Sequence, residues 1–521
     1  MHNTKAKILW VDDEIDLLRP HILLLTEKGY VVDTASNGED ALQLVKEKAF
    51  DLVFLDEMMS GMGGLRTLAE IKDLYPNLPV IMITKNEEEA LMEEAIGRKI
   101  SDYLTKPVNP SQVLLACKKF LEGKKIASEH VSKDYIQEFT AISRALLSPL
   151  SYVEWAETYS KLTNWEMEVD QHPELELRQM LTDQMRECNQ EFGKFVERNY
   201  RNWLEQERDR PFLSSDIVEK FVVPELGEPG PVFFFVIDCL RYDQWLTLES
   251  VLYDYFVIKK EFYYSILPTA TPYSRNAIFS GVYPNEIEKR FPEIWEKWED
   301  DDNTRNKFEK ELLDRLLARK KVELKPDAKY VKILEAEFGR GVEQNITSYT
   351  NNKLTSIVIN FVDMLAHSRS DSHILKEIAP DEPAYRSLTK SWFLHSSLLG
   401  MLKTLSKQKN VKIIITTDHG SIRSLRGAKV IGDREASTNL RYKFGRNLKC
   451  DEKQAVFVKD PADFRLPRRG VTINYIIAKE DYYFVYPTDY HKYLNLYRDS
   501  FQHGGISMQE MILPVVKLVP K

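Results

Sequence analysis

The feature that most constrains this chain is a recurring pairing, a short apolar run that ends in aspartate. Ile8–Val11 leads to Asp12 and Asp13, Leu52–Leu55 to Asp56, and Val232–Ile237 to Asp238. Ile357–Val362 leads to Asp363, and Val411–Thr416 to Asp418. Apolar runs of this length between amphipathic stretches read as buried strands of parallel sheets. Carboxylates at their C-terminal ends fall where open α/β sheets collect ligands. The pattern predicts a multidomain α/β protein with two such regions, residues 1–122 and 212–521, on either side of a helical-bundle linker at 123–211. A length of 521 residues, 43% hydrophobic, suffices for cores of this kind. A net charge of -8 argues against a protein that coats nucleic acid. The cysteines (117, 188, 239 and 450) are scattered without a CxxC pair and fit reduced thiols. No apolar run approaches membrane-spanning length, and the first one stops at Asp12, so a cytoplasmic protein is expected.

Residues 1–121 alternate strands at Ile8–Val11, Val31–Ala35, Leu52–Leu55, Val80–Ile83 and Tyr103–Leu104 with helices between them. A doubly wound, flavodoxin-like sheet of five parallel strands follows. Asp12, Asp13 and Asp56 converge on one edge, and three close carboxylates call for a cation; an oxygen-rich pocket suits Mg²⁺. Thr84 and Lys106, at the ends of later strands, would hold a phosphoryl group on Asp56. The segment resembles the receiver domains of two-component response regulators. The resemblance rests on VDDE at Val11–Glu14, LDEMMSGMGG at Leu55–Gly64, Thr84, and Tyr103 with LTKP at Leu104–Pro107. It implies that Asp56 takes phosphate from a histidine kinase. It also implies that Asp12, Asp13, Asp56 and Met58 serve Mg²⁺, that Thr84 and Tyr103 switch, and that the face around the fourth helix and fifth strand dimerises. Ser60 and Lys85 depart from the family pattern.

Residues 123–211 carry helical patterns near Lys133–Leu147, Ser151–Val169 and Glu174–Glu207, with Trp155, Trp165 and Trp203 as packing anchors. They read as a helical spacer or a dimer extension. A sequence-specific DNA reader is disfavoured, because acids interrupt every candidate basic helix.

In the last region Leu267–Pro284 reads LPTATPYSRNAIFSGVYP. Thr271 precedes Pro272, so the spacing predicts a Thr271 cap on a helix N-terminus, a place that favours negative charge. Asp363 and His367 stand four apart, Asp418 and His419 are adjacent, and His503 opens a glycine loop. With Asp238, they divide into two mixed oxygen–nitrogen sets that suit Zn²⁺ or Mn²⁺. The charged insert Ile287–Leu324 reads as a solvated helical cap.

This region resembles the alkaline phosphatase superfamily over about residues 230–521, most closely its PglZ branch. The motifs are FFFVIDCLRYD at Phe233–Asp243, PTATPYSRNAIFSG at Pro268–Gly281, FVDMLAH at Phe361–His367, TTDHG at Thr416–Gly420 and HGGISMQEMILPV at His503–Val515. The resemblance implies one metal on Asp363, His367 and His503, another on Asp238, Asp418 and His419, and Thr271 as the nucleophile towards phosphorus. The receiver–helical–PglZ order resembles the response regulators associated with type IX secretion. Pro-Thr-x-Thr followed by Gly281-x-Tyr-Pro resembles the phosphodiesterase branch. A basic loop (Arg423, Arg426, Lys429, Arg434, Arg441, Lys443, Arg446, Lys449) would bind a linear or cyclic oligonucleotide, or is merely a solvated loop. Arg275 is placed either on a phosphate oxygen, with Asn276 beside it, or on a local carboxylate. The expected protein is a phosphorylation-controlled, metal-dependent phosphodiesterase that dimerises. The alternative is a metal-bound docking platform for a sigma factor or secretion component.

Overall fold

A computed structural model describes residues 6–85, 100–295, 306–433, 437, 439–468 and 472–521. The chain forms two compact units, Met1–Asp134 and Tyr135–Lys521.

In the first unit β1 (Lys7–Val11), β2 (Val31–Ala35), β3 (Leu52–Asp56), β4 (Val80–Thr84) and β5 (Asp102–Thr105) form a parallel sheet in the order β2-β1-β3-β4-β5. Strand alternation divides the core. Leu9, Val11, Val53 and Leu55 pack with Leu42, Leu68 and Ile71, while Ile8, Trp10, Leu52 and Phe54 pack with Leu25, Val113 and Cys117. Both faces are covered, which explains runs without polar alternation. The helix expected between β4 and β5, and with it much of the expected dimer face, lies outside the described residues.

In the second unit β6 (Val232–Ile237), β7 (Phe256–Tyr264), β8 (Lys329–Ile333), β9 (Leu354–Ile359) and β10 (Lys412–Thr416) join the C-terminal strand Ile512–Pro520. The order is β7, the C-terminal strand, β10, β6, β9, β8. The C-terminal strand runs antiparallel to both neighbours; β10, β6, β9 and β8 are parallel. That parallel block brings the ends of β6, β9 and β10 to one edge. The short apolar runs therefore do what their sequence implied.

Two readings of the sequence need correction. The helical stretch is not a spacer. Helices Tyr152–Gln171 and Arg178–Glu205 share a core with the sheet, where Trp155, Phe192 and Val196 belong with Phe233 and Phe235. The aromatic residues read as anchors pack against this sheet. Nor is the charged insert simply a solvated cap. In its helix Glu309–Arg319, Leu312, Leu313, Leu316 and Leu317 are buried with Phe234 and Ile278. Apart from buried Glu309, charge fills the outer face and leucine the inner, as in an amphipathic helix.

Candidate metal centre and active site

Thr271 begins the helix Thr271–Ser280, with Ala270 rather than Thr271 in the capping position and Pro272 second. The expected threonine cap is thus one residue out, and the reason is chemical. The Thr271 hydroxyl is turned away from the helix amides, 3.0 Å from His419 Nε2 and 3.4 Å from Asp238 Oδ1. Thr269, the other threonine of the motif, is fully buried. Its hydroxyl donates to the Gly505 carbonyl at 2.8 Å and accepts from the Gly504 amide at 3.1 Å. It clamps the Thr271 segment to the His503 loop.

The predicted ligands assemble into the two predicted sets. Asp363, His367 and His503 offer atoms within 4.8 Å of one another, as do Asp238, Asp418 and His419. The His419 and His503 rings stack at 4.2 Å, so the sets share a wall. The donor atoms themselves argue for a metal. Asp363 Oδ1 and Asp418 Oδ2 are buried without a hydrogen-bond partner, each inside one of the sets. Buried carboxylate oxygens are seldom left so. His419 Nδ1 lies 3.0 Å from the Gly420 carbonyl and His503 Nδ1 3.3 Å from the Thr269 carbonyl. Each ring therefore donates to backbone through Nδ1 and presents Nε2 to its set, as metal-binding histidines commonly do. Burial and the Asp238 charge push Asp363 up to about 6 and raise Asp418 well above the usual carboxylate range. Burial, with His419 and His367 nearby, lowers His503. A dication would relieve all three. The oxygen and nitrogen donors fit zinc or manganese.

Arg275 and Asn276, the candidate substrate contacts, are buried and engaged elsewhere. Arg275 donates to Asp238 Oδ2 at 2.6 Å and to Glu309 Oε1 at 2.5 Å, and lies 3.9 Å from Asp418. The Asn276 amide donates to the Pro272 carbonyl. Of the two placements for Arg275, the carboxylate one holds. Burial opposes ionisation of Asp238, yet the Arg275 guanidinium keeps its carboxyl below the usual range. Asn360 donates to the same Asp238 Oδ2 at 2.8 Å, which leaves Oδ1 facing Thr271. Sequence reasoning missed Asn360 and Glu309. Asn360 ends an apolar run and could have been found; Glu309, inside a charged insert, gave no signal.

Among the described residues most of the basic loop's charges are buried or paired. Arg441 is buried against Glu510, Lys443 is buried, Arg423 pairs with Asp499, and Arg426 pairs with Glu480 and Asp481. Arg434 lies outside the described residues. Only Lys429, Arg446 and Lys449 of the eight are exposed among those described.

In the first unit Asp12, Asp13 and Asp56 form a third acidic set. Lys106 Nζ bridges Asp12 at 2.9 Å and Asp56 at 3.0 Å. Burial, with Asp12 close by, raises Asp56 despite Lys106. Met58 follows β3 with its side chain exposed, so any contribution to a cation there is through backbone. The Thr84 hydroxyl donates to the Glu57 carboxylate, a partner the sequence reading missed. Tyr103 points outward, 42% exposed.

Residues 217–518 match the model of the BREX system PglZ alkaline phosphatase-like domain. The chain belongs to the PglZ alkaline phosphatase-like family. Residues 8–118 match the response regulator receiver domain, and 125–204 the PorX response regulator linker domain. Together they make the PorX-type architecture of receiver, linker and PglZ domain. Curated relatives include the transcriptional regulatory protein ZraR of Klebsiella oxytoca, 34% identical over 158 residues, covering 29% of this chain and 36% of that protein. The CpxR homolog of Haemophilus influenzae is 35% identical over 140 residues, covering 26% and 60%. The chain thus spans about a third of the length of the first curated relatives it matches. The solved receiver domain of NtrX from Brucella abortus is 35% identical and covers 22% of this chain and 98% of its own, with a TM-score of 0.21. A receiver domain implies a phosphorylating histidine kinase. No helix among the described residues is long and apolar enough to cross a membrane.

Proposed function

We propose that the chain is a response regulator whose output domain is a zinc-dependent phosphodiesterase acting on nucleotide phosphodiesters, linear or cyclic oligonucleotides included. In this reading phosphorylation of Asp56 controls it, and it serves type IX secretion. The observation that carries the catalytic part is Thr271 Oγ1 facing His419 Nε2 at 3.0 Å, between two carboxylate–histidine sets that share a stacked ring pair. Zinc at these sets, when bound, supplies Lewis acidity and lowers the cost of an oxyanion. The chain's own residues do the rest. Asn360 and Arg275 fix Asp238 so that one oxygen faces the hydroxyl. The Gly420 carbonyl fixes the His419 tautomer, so Nε2 offers a lone pair. The start of the Thr271 helix favours the anionic phosphate. The Thr271 hydroxyl releases its proton to solvent water, Oγ1 attacks phosphorus, and the P–O bond to the leaving group breaks, its oxygen taking up a proton from solvent. Water then cleaves the phosphothreonine, returning the hydroxyl, so two inversions give net retention.

The motif resemblance supports the diester class, and the basic loop, whose described charges are mostly buried or paired, adds little for an oligonucleotide. Zinc-loaded full-length protein should hydrolyse bis(4-nitrophenyl) phosphate faster than 4-nitrophenyl phosphate. A preference for the monoester would overturn the diesterase reading. Asp56 is the phosphoacceptor in this reading, with Mg²⁺ at the first-unit acids. Acetyl phosphate should phosphorylate the protein and the Asp56→Asn variant should not be labelled. One observation favours the docking alternative. Met364, Ile374 and Ile378, on helices Phe361–Asp371 and His373–Ile378 beside His367, are 49%, 68% and 56% exposed. They would suit an apolar partner surface next to the site.

A further inference from the structure

We propose that Asn189 and Tyr200, on the long helix Arg178–Glu205 of the linker, are positioning residues for the candidate active site. The inference rests on the phosphodiesterase reading above and adds a part of the chain to it. The two residues are eleven apart, about three helical turns, and so lie on one face. That face is an apolar stripe with Phe192 and Val196 between them, all buried. Two polar side chains in such a stripe cost free energy unless each is satisfied.

Each is satisfied by the backbone of a site loop. The Tyr200 hydroxyl accepts from the Leu267 amide at 2.7 Å, four residues before Thr271. Asn189 Oδ1 accepts from the Met508 amide at 2.8 Å, five residues after His503, and its amide donates to the Gln509 side chain at 3.0 Å. The braced loops are themselves joined. Thr269 hydrogen-bonds Gly504 and Gly505, and the Gly420 amide donates to the Glu510 carbonyl at 3.1 Å. A Cβ on Gly420 would lie 1.9 Å from the Gln509 carbonyl oxygen, so the TTDHG segment sits directly on the residues Asn189 holds. Through these contacts one helix face fixes the backbones that carry Thr271, His419 and His503. Catalysis depends on placement of reacting groups to within a fraction of an ångström, so loosening either brace should lower turnover before it unfolds the chain.

The test uses full-length protein, zinc-loaded, with bis(4-nitrophenyl) phosphate as probe. Tyr200→Phe and Asn189→Leu are compared with Tyr264→Phe. Tyr264 is an equally buried tyrosine, whose hydroxyl donates to the Tyr152 carbonyl of the same helical segment without touching a site loop. Thermal transitions are recorded for all three. Tyr200→Phe should lower kcat about tenfold or more with KM within about twofold. Asn189→Leu should surrender one zinc equivalent to a chromogenic chelator at about tenfold lower chelator concentration than wild type. Tyr264→Phe should do neither. Equal losses in Tyr264→Phe, or wild-type behaviour in both test variants, would overturn the proposal. If wild-type protein fails to cleave the probe, the phosphodiesterase reading fails, and the chelator comparison decides positioning by itself. Weaker zinc retention in Asn189→Leu than in Tyr264→Phe keeps it, and equal retention overturns it.

Discussion

Lys106 and Arg275 neutralise carboxylates at the strand ends of the two units in different ways. Lys106 reaches Asp12 and Asp56 with one ammonium from a side chain that is 16% exposed. Arg275 is buried and spans Asp238, Asp418 and Glu309 with a rigid fork. An ammonium on a flexible stem can leave one partner for another; a guanidinium set between carboxylates is committed to its geometry. The difference suits the two proposed tasks. Asp56 must gain and lose a phosphoryl group, so its cation has to move with the charge. Asp238 must present the same oxygen to Thr271 at every turnover, so its cation is fixed. The nucleophiles divide likewise: one is a carboxylate, already anionic, and the other a hydroxyl that must lose a proton.

The sharpest way to break this comparison is to exchange the attacking groups' roles. Thr271→Val should lower diester hydrolysis by about a thousandfold or more with zinc content unchanged. Asp56→Asn should abolish phosphorylation and leave unphosphorylated turnover intact. Turnover assays and metal analysis on both variants check this, and residual turnover near wild type in Thr271→Val would remove the nucleophile.

Next in size is the fixed cation. Arg275→Met removes the guanidinium from buried Asp238, leaving it Asn360 alone among the described donors on Oδ2, while Glu309 keeps Lys332 and Tyr330; the change should cost about 3–5 kcal/mol. Zinc should restore part of it by replacing the lost charge at Asp238. Thermal unfolding with and without zinc measures both.

A third cation, without a carboxylate partner among the described residues, isolates what such partners contribute. Lys443 is buried with the Ser437 carbonyl at 3.0 Å and the Tyr486 ring 4.4 Å away, and burial lowers it to about 7. An unfolded chain binds this proton up to the ordinary lysine value of 10.5, so its contribution to stability rises as pH climbs from about 7. Lys443→Met should stabilise the protein by about 1–3 kcal/mol at pH 7 and remove that slope. Denaturant titrations at pH 7 and 9 test it, and an unchanged slope would show the lysine has a partner.

The smallest effect concerns the lysine side of the comparison. Glu57→Ala removes one partner of the Thr84 hydroxyl and should alter the lifetime of the phosphorylated state by only a few fold, read by phosphate release.

Strand-end aspartates were legible because burial and function impose opposite residue types on adjacent positions. The ends of β6, β9 and β10 therefore announced their carboxylates. His367 and His419 joined the sets through short spacings, while His503, remote in sequence, was placed by the family resemblance. Long-range partners were illegible. Glu309 reaches Arg275 across 34 residues and Asn189 reaches Gln509 across 320. Neither distance leaves a local trace, since a buried Glu in a charged helix looks like its exposed neighbours. The basic loop misled for the same reason in reverse. Arg441 and Arg426 read as free charge because Glu510 and Asp481 are remote in sequence. The Thr271 cap failed by one residue because helix starts follow backbone geometry, while the side chain had another partner.

The eleven-residue spacing between Asn189 and Tyr200 carries a further consequence, for chain length and not composition. The helix between them is a ruler about 16 Å long, read at both ends. A single inserted or deleted residue would rotate one end by about 100° relative to the other and aim one polar side chain away from its loop. Substitutions within residues 190–199 are therefore open to drift so long as they remain helical and apolar on the inner face. Changes in their number are not.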